Sequence, residues 1–185
     1  MAQPKPRIKF TVKDYMTTPE DKRYQLLDGE LILAPAPTTR HQRILLRLYD
    51  EVNRFVQSNQ LGEVLLSPCD VVLSDHDVLE PDLLFVSNSR SNIVTRANLQ
   101  GAPDLVVEIL SPGTAGYDRG YKQTLCGRHG VREYWLVDPD AATVEVLVES
   151  AQGLELAATY TREDILTSPL LAGLVIELAA VFRDA

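Results

Sequence analysis

Apolar residues along this chain fall into short alternating runs and one long helical stripe. Tyr24 to Leu33 alternate around Asp28-Gly29, a pair that favours the tight turn of a β-hairpin, and Pro35-Ala36-Pro37 ends the pattern. Thr38 or Thr39 can then cap a helix, because Leu45, Leu48, Tyr49, Val52, Phe55 and Val56 recur at helical spacing. Gly62 is expected to stop that helix. Glu63 to Ser74 reads as a strand, Ser74-Asp75-His76-Asp77 as a turn, and Pro81-Asp82-Leu83-Leu84-Phe85-Val86 as a second strand headed by an acid. Asn88 to Gln100 is polar and predicts a loop with a short helix. Leu105 to Leu110 is a further apolar strand, ended by Ser111-Pro112-Gly113. A helix from Ala115 to His129 follows, with Tyr117, Tyr121 and Leu125 on one face and Gly130 closing it. Tyr134 to Asp138 and Thr143 to Val148 form strands around Pro139-Asp140, with Tyr134 and Trp135 in the core. Residues 5–21 predict a capping segment with a short helix near Val12 to Met16. The pattern is an α/β (α+β) domain, a mixed sheet with a few flanking helices. It is read as a single domain over 1–185, with an N-terminal cap (1–22) and a C-terminal extension (149–185).

Composition supports that reading. A chain of 185 residues, 45% apolar and 24% charged, can bury the core of one soluble domain. Cys69 and Cys126 have no metal-binding or disulfide spacing. The charged N-terminus is followed by no apolar stretch, so no signal peptide is expected. The longest apolar run, Leu170 to Phe182, contains Glu177 and is too short to span a bilayer. The expectation is a reducing, cytoplasmic location without a membrane. The net charge of −8 is unevenly spread: Met1 to Arg132 is neutral, and 10 acids against Arg162 and Arg183 supply the whole excess. Arg40, Arg43, Arg47 and Arg54 cluster in one segment, and Arg119, Lys122, Arg128 and Arg132 in another. A phosphate-binding face is compatible with that distribution, as are scattered solvated charges.

The chemistry begins at Glu108, a carboxylate inside the apolar run Asp104-Leu105-Val106-Val107-Glu108-Ile109-Leu110. An unpartnered ion there would cost several kcal/mol, on the order of the penalty for any buried charge. Asp82 heads a similar strand, and two acids on two core strands suggest a site for a divalent cation. On the helix that follows, Lys122 shares a face with Asp118 and Cys126 and can lean back toward the carboxylates. Each residue also has an ordinary reading. Asp82 could be a turn aspartate, Glu108 the partner of a buried arginine, Lys122 a surface lysine. His41, on the Leu45/Leu48 face of the first long helix, is placed to contact phosphate or water, with a capping or core role as the alternative. Other motifs fail. Gly116 to Lys122 lacks the Gly-Lys-Ser/Thr order of a phosphate loop, Asp75-His76-Asp77 lacks the rest of a calcium loop, and there is no Gly-x-Ser-x-Gly.

At these residues the chain resembles the Uma-two family of bacterial domains, a branch of the PD-(D/E)xK restriction-endonuclease-like superfamily. The matching stretches are Tyr24-Gln25-Leu26-Leu27-Asp28-Gly29-Glu30-Leu31, the His41 helix start, Glu80 to Val86, and Ala102 to Pro112. They continue through Asp118-Arg119-Gly120-Tyr121-Lys122 and Gly130 to Pro139. The resemblance implies a restriction-endonuclease-like fold with a central four-stranded mixed sheet flanked by helices. It implies Asp82 and Glu108 as metal-binding acids, the Ile109 carbonyl as a further ligand, and Glu30 as an additional early carboxylate. The signature lysine would stand at position 110, where this chain has Leu110. A lysine on the next helix substitutes in this family, and Lys122 occupies that place. Cys126 replaces an aromatic beside it.

The implied activity is phosphodiester hydrolysis by a Mg²⁺-dependent DNA endonuclease, with Mn²⁺ as a possible replacement and His41 and Arg119 toward the substrate. The alternative is a catalytically silent module of the same fold, binding nucleic acid or a protein partner. Leu147, Leu156 and Leu170 offer a surface for a homodimer.

Overall fold

The computed structural model describes residues 8–19 and 22–183, and the expectations for 5–7, 20 and 21 lie outside them. Thr11 caps the short α1 (Val12–Tyr15) in a reciprocal capping box with Asp14. The hairpin follows as β1 (Tyr24–Leu27) and β2 (Glu30–Leu33), paired from Tyr24↔Leu33 to Leu27↔Glu30. Its turn needs positive φ at both central residues, and Asp28 and Gly29 supply it at 50° and 75°. Helix α2 (Thr39–Ser58) begins at the Thr38 cap, whose hydroxyl accepts from the His41 N–H.

Gly62 does not stop that helix, which ends at Ser58; it opens β3 (Gly62–Leu66). The glycine is required there because a Cβ would stand 2.0 Å from the Val86 carbonyl oxygen, at a φ of 153°. The single strand expected over Glu63 to Ser74 is two strands in different sheets. Ser67-Pro68 interrupts the run, since proline offers no N–H to a ladder, and β4 (Val71–Ser74) turns away. The Ser74–Asp77 turn leads into a strand the pattern did not suggest, β5 (Asp77–Leu79). Next come β6 (Leu83–Ser87), a 3-10 turn (Asn88–Ile93), β7 (Leu99–Gln100) and β8 (Leu105–Ile109). The expected helix starts as α3 (Ala115–Tyr117), widens into a π turn (Asp118–Lys122) and resumes as α4 (Gln123–Arg128). Strands β9 (Glu133–Asp138), β10 (Thr143–Ser150) and β11 (Gly153–Thr161) form a meander, and β12 (Ile165–Thr167), β13 (Val175–Glu177) and α5 (Leu178–Val181) complete the chain.

The central sheet is mixed and six-stranded, in the order β11-β10-β9-β8-β6-β3, with β8 and β9 parallel. It is wider than the four strands expected because β10 and β11 extend one side. A second sheet, β2-β1-β5-β4-β7, packs beside it. Strand alternation sorts the core into two layers. Leu105, Val107 and Ile109 face α2, against Ile44, Leu48 and Val52. Val106 and Leu110 face the other way, toward Leu125 and Cys126 of α4 and Leu27, Val71 and Leu79 of the second sheet. Each fully buried aliphatic side chain contributes about 1.5–3 kcal/mol.

Residues 149–183 take part in this core: β11 joins the sheet, and Leu166, Leu171, Ile176 and Phe182 share one apolar cluster with α2 and β8. Leu147, expected at a dimer surface, is buried instead, whereas Leu156 on the edge strand is exposed. No helix among the described residues is long and apolar enough to cross a membrane.

Glu133 fastens the C-terminal segment. Its Oε1 accepts from Trp135 Nε1 at 2.6 Å and from Ser168 Oγ at 2.7 Å, and its Oε2 from the Leu170 N–H at 2.8 Å. Burial lifts its pKa, opposed by these three donors. Glu133→Ala leaves three buried donors unpaired and is expected to lower unfolding free energy by about 3 kcal/mol in urea titrations. A loss below about 1 kcal/mol, the effect of an ordinary surface change, would show that the donors find other acceptors.

Candidate active site

The site is assembled by strand register. β6 and β8 are antiparallel, with Leu83↔Val107 and Leu84↔Val106. One further step along that register brings Asp82 opposite Glu108. Both lie on the face shared by Leu84, Val106 and Leu110, the face covered by α4 and the second sheet. Asp82 is held at the strand end by its carboxylate: Oδ2 accepts from the Ile109 N–H at 2.8 Å. The loop after β8 turns through Ser111 and Thr114, and the helix returns over the carboxylates.

On that helix the π turn carries both Asp118 and Lys122 inward, and such turns are frequent at functional sites. Lys122 Nζ donates to Glu108 Oε1 at 3.0 Å and lies 2.8 Å from Asp118 Oδ1. The second contact is ionic rather than directional, since Asp118 Oδ1 receives no hydrogen bond. The side chains of Lys122, Glu108 and Asp118 are only 2%, 5% and 1% exposed. Tyr134 steadies the turn by donating its hydroxyl to the Asp118 carbonyl at 2.9 Å.

One buried cation therefore serves two buried acids, with Asp82 close by. Burial pushes the Glu108 carboxyl well above the usual range, and Asp118 and Asp82 add to that against the pull of Lys122. Burial works against the charge on Lys122, but Glu108 and Asp118 outweigh it and hold the ammonium more firmly than usual. The two directions are compatible because a single positive charge cannot neutralise both carboxylates. Beside them, burial raises the Cys126 thiol above its ordinary value, so it is an apolar filler here.

A cleft of about 620 Å³ opens onto these groups, and Asp82, Glu108, Ile109 and Lys122 all line it. His41 lines it too, with Nε2 3.1 Å from Asp82 Oδ2. Arg119 is at the rim, where Nη1 donates to both oxygens of Glu145 at 2.8 Å. Glu30 does not line this cleft. It borders a separate depression beside Lys9, Asp28 and Gly29, because the hairpin turn carries the start of β2 there.

Pattern reading missed two cleft residues. Arg23 Nη2 pairs with Glu80 Oε2 at 2.8 Å, and burial raises the Glu80 carboxyl in spite of that partner. The signal was present: Glu80 stands two positions before Asp82, a spacing that returns to the same side of an extended chain.

Among the described residues, no three His, Cys, Asp or Glu side chains form a metal-binding cluster. The donors available are two carboxylates and a backbone carbonyl, all hard oxygens. That set suits Mg²⁺, which binds through one or two carboxylates and keeps several waters.

A mixed sheet with two acids at adjacent strand ends and a lysine above them defines a restriction-endonuclease-like fold. Residues 12–180 match the Uma2 family, described as "Putative restriction endonuclease", and the chain belongs to that family. The fold is shared with a crystal structure from Anabaena variabilis described as "a putative nuclease belonging to DUF820". The TM-score is 0.77 at 23% identity, over 94% of this chain and 97% of the other. No curated protein matches the chain.

Lys122→Met would remove the cation that stands between Glu108 and Asp118. It is expected to cost about 3–5 kcal/mol of stability near neutral pH. Because the folded pKa of Glu108 lies above its ordinary 4.5, ionising it destabilises the fold as pH rises through that interval. The variant's deficit in urea titrations should therefore shrink in mildly acid buffer and grow in mildly alkaline buffer. A deficit independent of pH would contradict the charge assignment.

Proposed function

We propose that the protein is a metal-dependent endonuclease that hydrolyses phosphodiester bonds of DNA, with Asp82, Glu108 and Lys122 as its catalytic set. The observation that carries this reading is the 3.0 Å contact of Lys122 with Glu108, beside Asp82 at the floor of an open cleft. Asp82, Glu108 and the Ile109 carbonyl would hold Mg²⁺, or Mn²⁺ in its place. When bound there, the cation supplies Lewis-acid polarisation of a phosphoryl oxygen and acidifies a water.

The remaining work falls to the chain's own groups. Lys122 is held protonated, so it acts as a hydrogen-bond donor and point charge. Glu108 and Asp118 engage the ammonium at 3.0 and 2.8 Å, and its third N–H can be offered to the attacking water or to the charge gathering on the phosphoryl oxygens. Glu108 and Asp118 fix the ammonium, so little rearrangement is needed as that charge develops. Asp82 is fixed by the Ile109 N–H. Arg119, which lines the cleft, would reach phosphate by exchanging Glu145 for it. A homodimer presenting two such sites would cut both strands.

A second reading has its own support. Arg23, Arg40, Arg119 and Lys122 of the cleft are each paired with a carboxylate, so among the described lining residues every Lys and Arg already has a partner that a phosphate chain would have to displace. That pairing suits a silent module of the same fold.

Plasmid DNA incubated with Mg²⁺ or Mn²⁺ separates the two. Cleavage by the wild type should require the cation and fall about 100-fold or more in Asp82→Ala, Glu108→Ala and Lys122→Ala. Cation binding without cleavage would place the substrate elsewhere. A wild type that binds no cation, with or without DNA, would leave the silent module.

A further inference from the structure

We propose that His41 is a positioning residue: it donates Nε2–H to Asp82 Oδ2 and aims the other carboxylate oxygen at the cation. The inference rests on the reading of Asp82 as a metal ligand. Asp82 Oδ2 already accepts from the Ile109 N–H at 2.8 Å, and His41 Nε2 stands 3.1 Å away on the same oxygen. Two donors from different elements, a strand amide and a helix side chain, fix the plane of the carboxylate. Oδ1 receives no hydrogen bond among the described residues and is left for a ligand role.

The imidazole is poorly placed for substrate. His41 is only 8% exposed, and its Nδ1 is sealed and has no hydrogen-bond partner. That orphan atom identifies the tautomer. A proton on Nδ1 would leave a buried N–H without an acceptor, and a bare Nε2 would face a carboxylate that can only accept. A proton on Nε2 avoids both. The backbone is secured as well, since the His41 N–H donates to the Thr38 cap at 3.2 Å. His41 thus ties the start of α2 to the head of β6. Hydrogen-bonding partners that orient metal ligands in this way typically affect affinity by 10- to 100-fold.

The test exploits the two ring nitrogens. The amide nitrogen of glutamine reaches the position of His Nε2, whereas that of asparagine reaches only Nδ1. Mn²⁺ affinity is measured by calorimetry, without DNA, on wild type, His41→Gln and His41→Asn, with thermal unfolding of each protein. His41→Gln should bind within about threefold of wild type, and His41→Asn about 10- to 100-fold more weakly, with both folded. Equal affinities for the two variants, whether retained or lost, would overturn the assignment, as would a folded His41→Asn that binds like wild type. Wild type without Mn²⁺ binding would instead bring down the metal-site reading, and this inference with it. Both variants are polar and similar in size, so the comparison survives a modest loss of stability.

Discussion

One ammonium group, closed off from water, stands between the carboxylates of Glu108 and Asp118 with that of Asp82 nearby. Removing charges from water is costly, and the mutual attraction of a buried pair offsets the cost only when geometry is good. Here the balance is incomplete by design of the fold, because the strands and the helix bring more acids than cations into one place. The consequence is a site in which two acids compete for one ammonium. Glu108 responds by holding its proton more tightly, and Lys122 by refusing to give up its own. A structural ion pair would need only one acid. The surplus is what separates this arrangement from a core salt bridge.

The scaffold serves that arrangement at every level. Antiparallel pairing of β6 and β8 sets Asp82 across from Glu108, and a one-residue slip of either strand would put the two acids on opposite faces. The parallel partner β9 buries the same strand from the other side and contributes Tyr134, whose hydroxyl holds the π turn. Helix α2 covers the reverse face and sends His41 around the strand end to Asp82. The second sheet then walls the cleft, with Arg23 and Glu80 on its near edge. Distant parts of the chain are thereby committed to one small volume.

Much of this was legible in the sequence, for physical reasons. Glu108 announced itself because charges are rare in apolar strands. The Asp28-Gly29 turn and the stripe of α2 follow from local backbone preference, and both stand where expected. Local rules could not reveal the division of Glu63 to Ser74 into two sheets, because Pro68 redirects the chain only in the context of its neighbours. The same holds for the packing of 149–183 into the core, where short apolar runs look alike whether they form an extension or a lid. Glu30 shows the limit of motif reading: its place in the resemblance was clear, yet the hairpin takes it to another depression. Lys122 shows the converse. No signature lysine stands at position 110, and the helix return supplies the charge from a place 12 residues on, where helical spacing had already set Lys122 on one face with Asp118.

The most direct test of the central claim is anomalous diffraction from crystals of the protein soaked in Mn²⁺. A single strong peak in contact with Asp82 and Glu108, with Lys122 still beside Glu108, is the predicted result. A peak at another location, or none at concentrations that saturate known two-carboxylate sites, would contradict it.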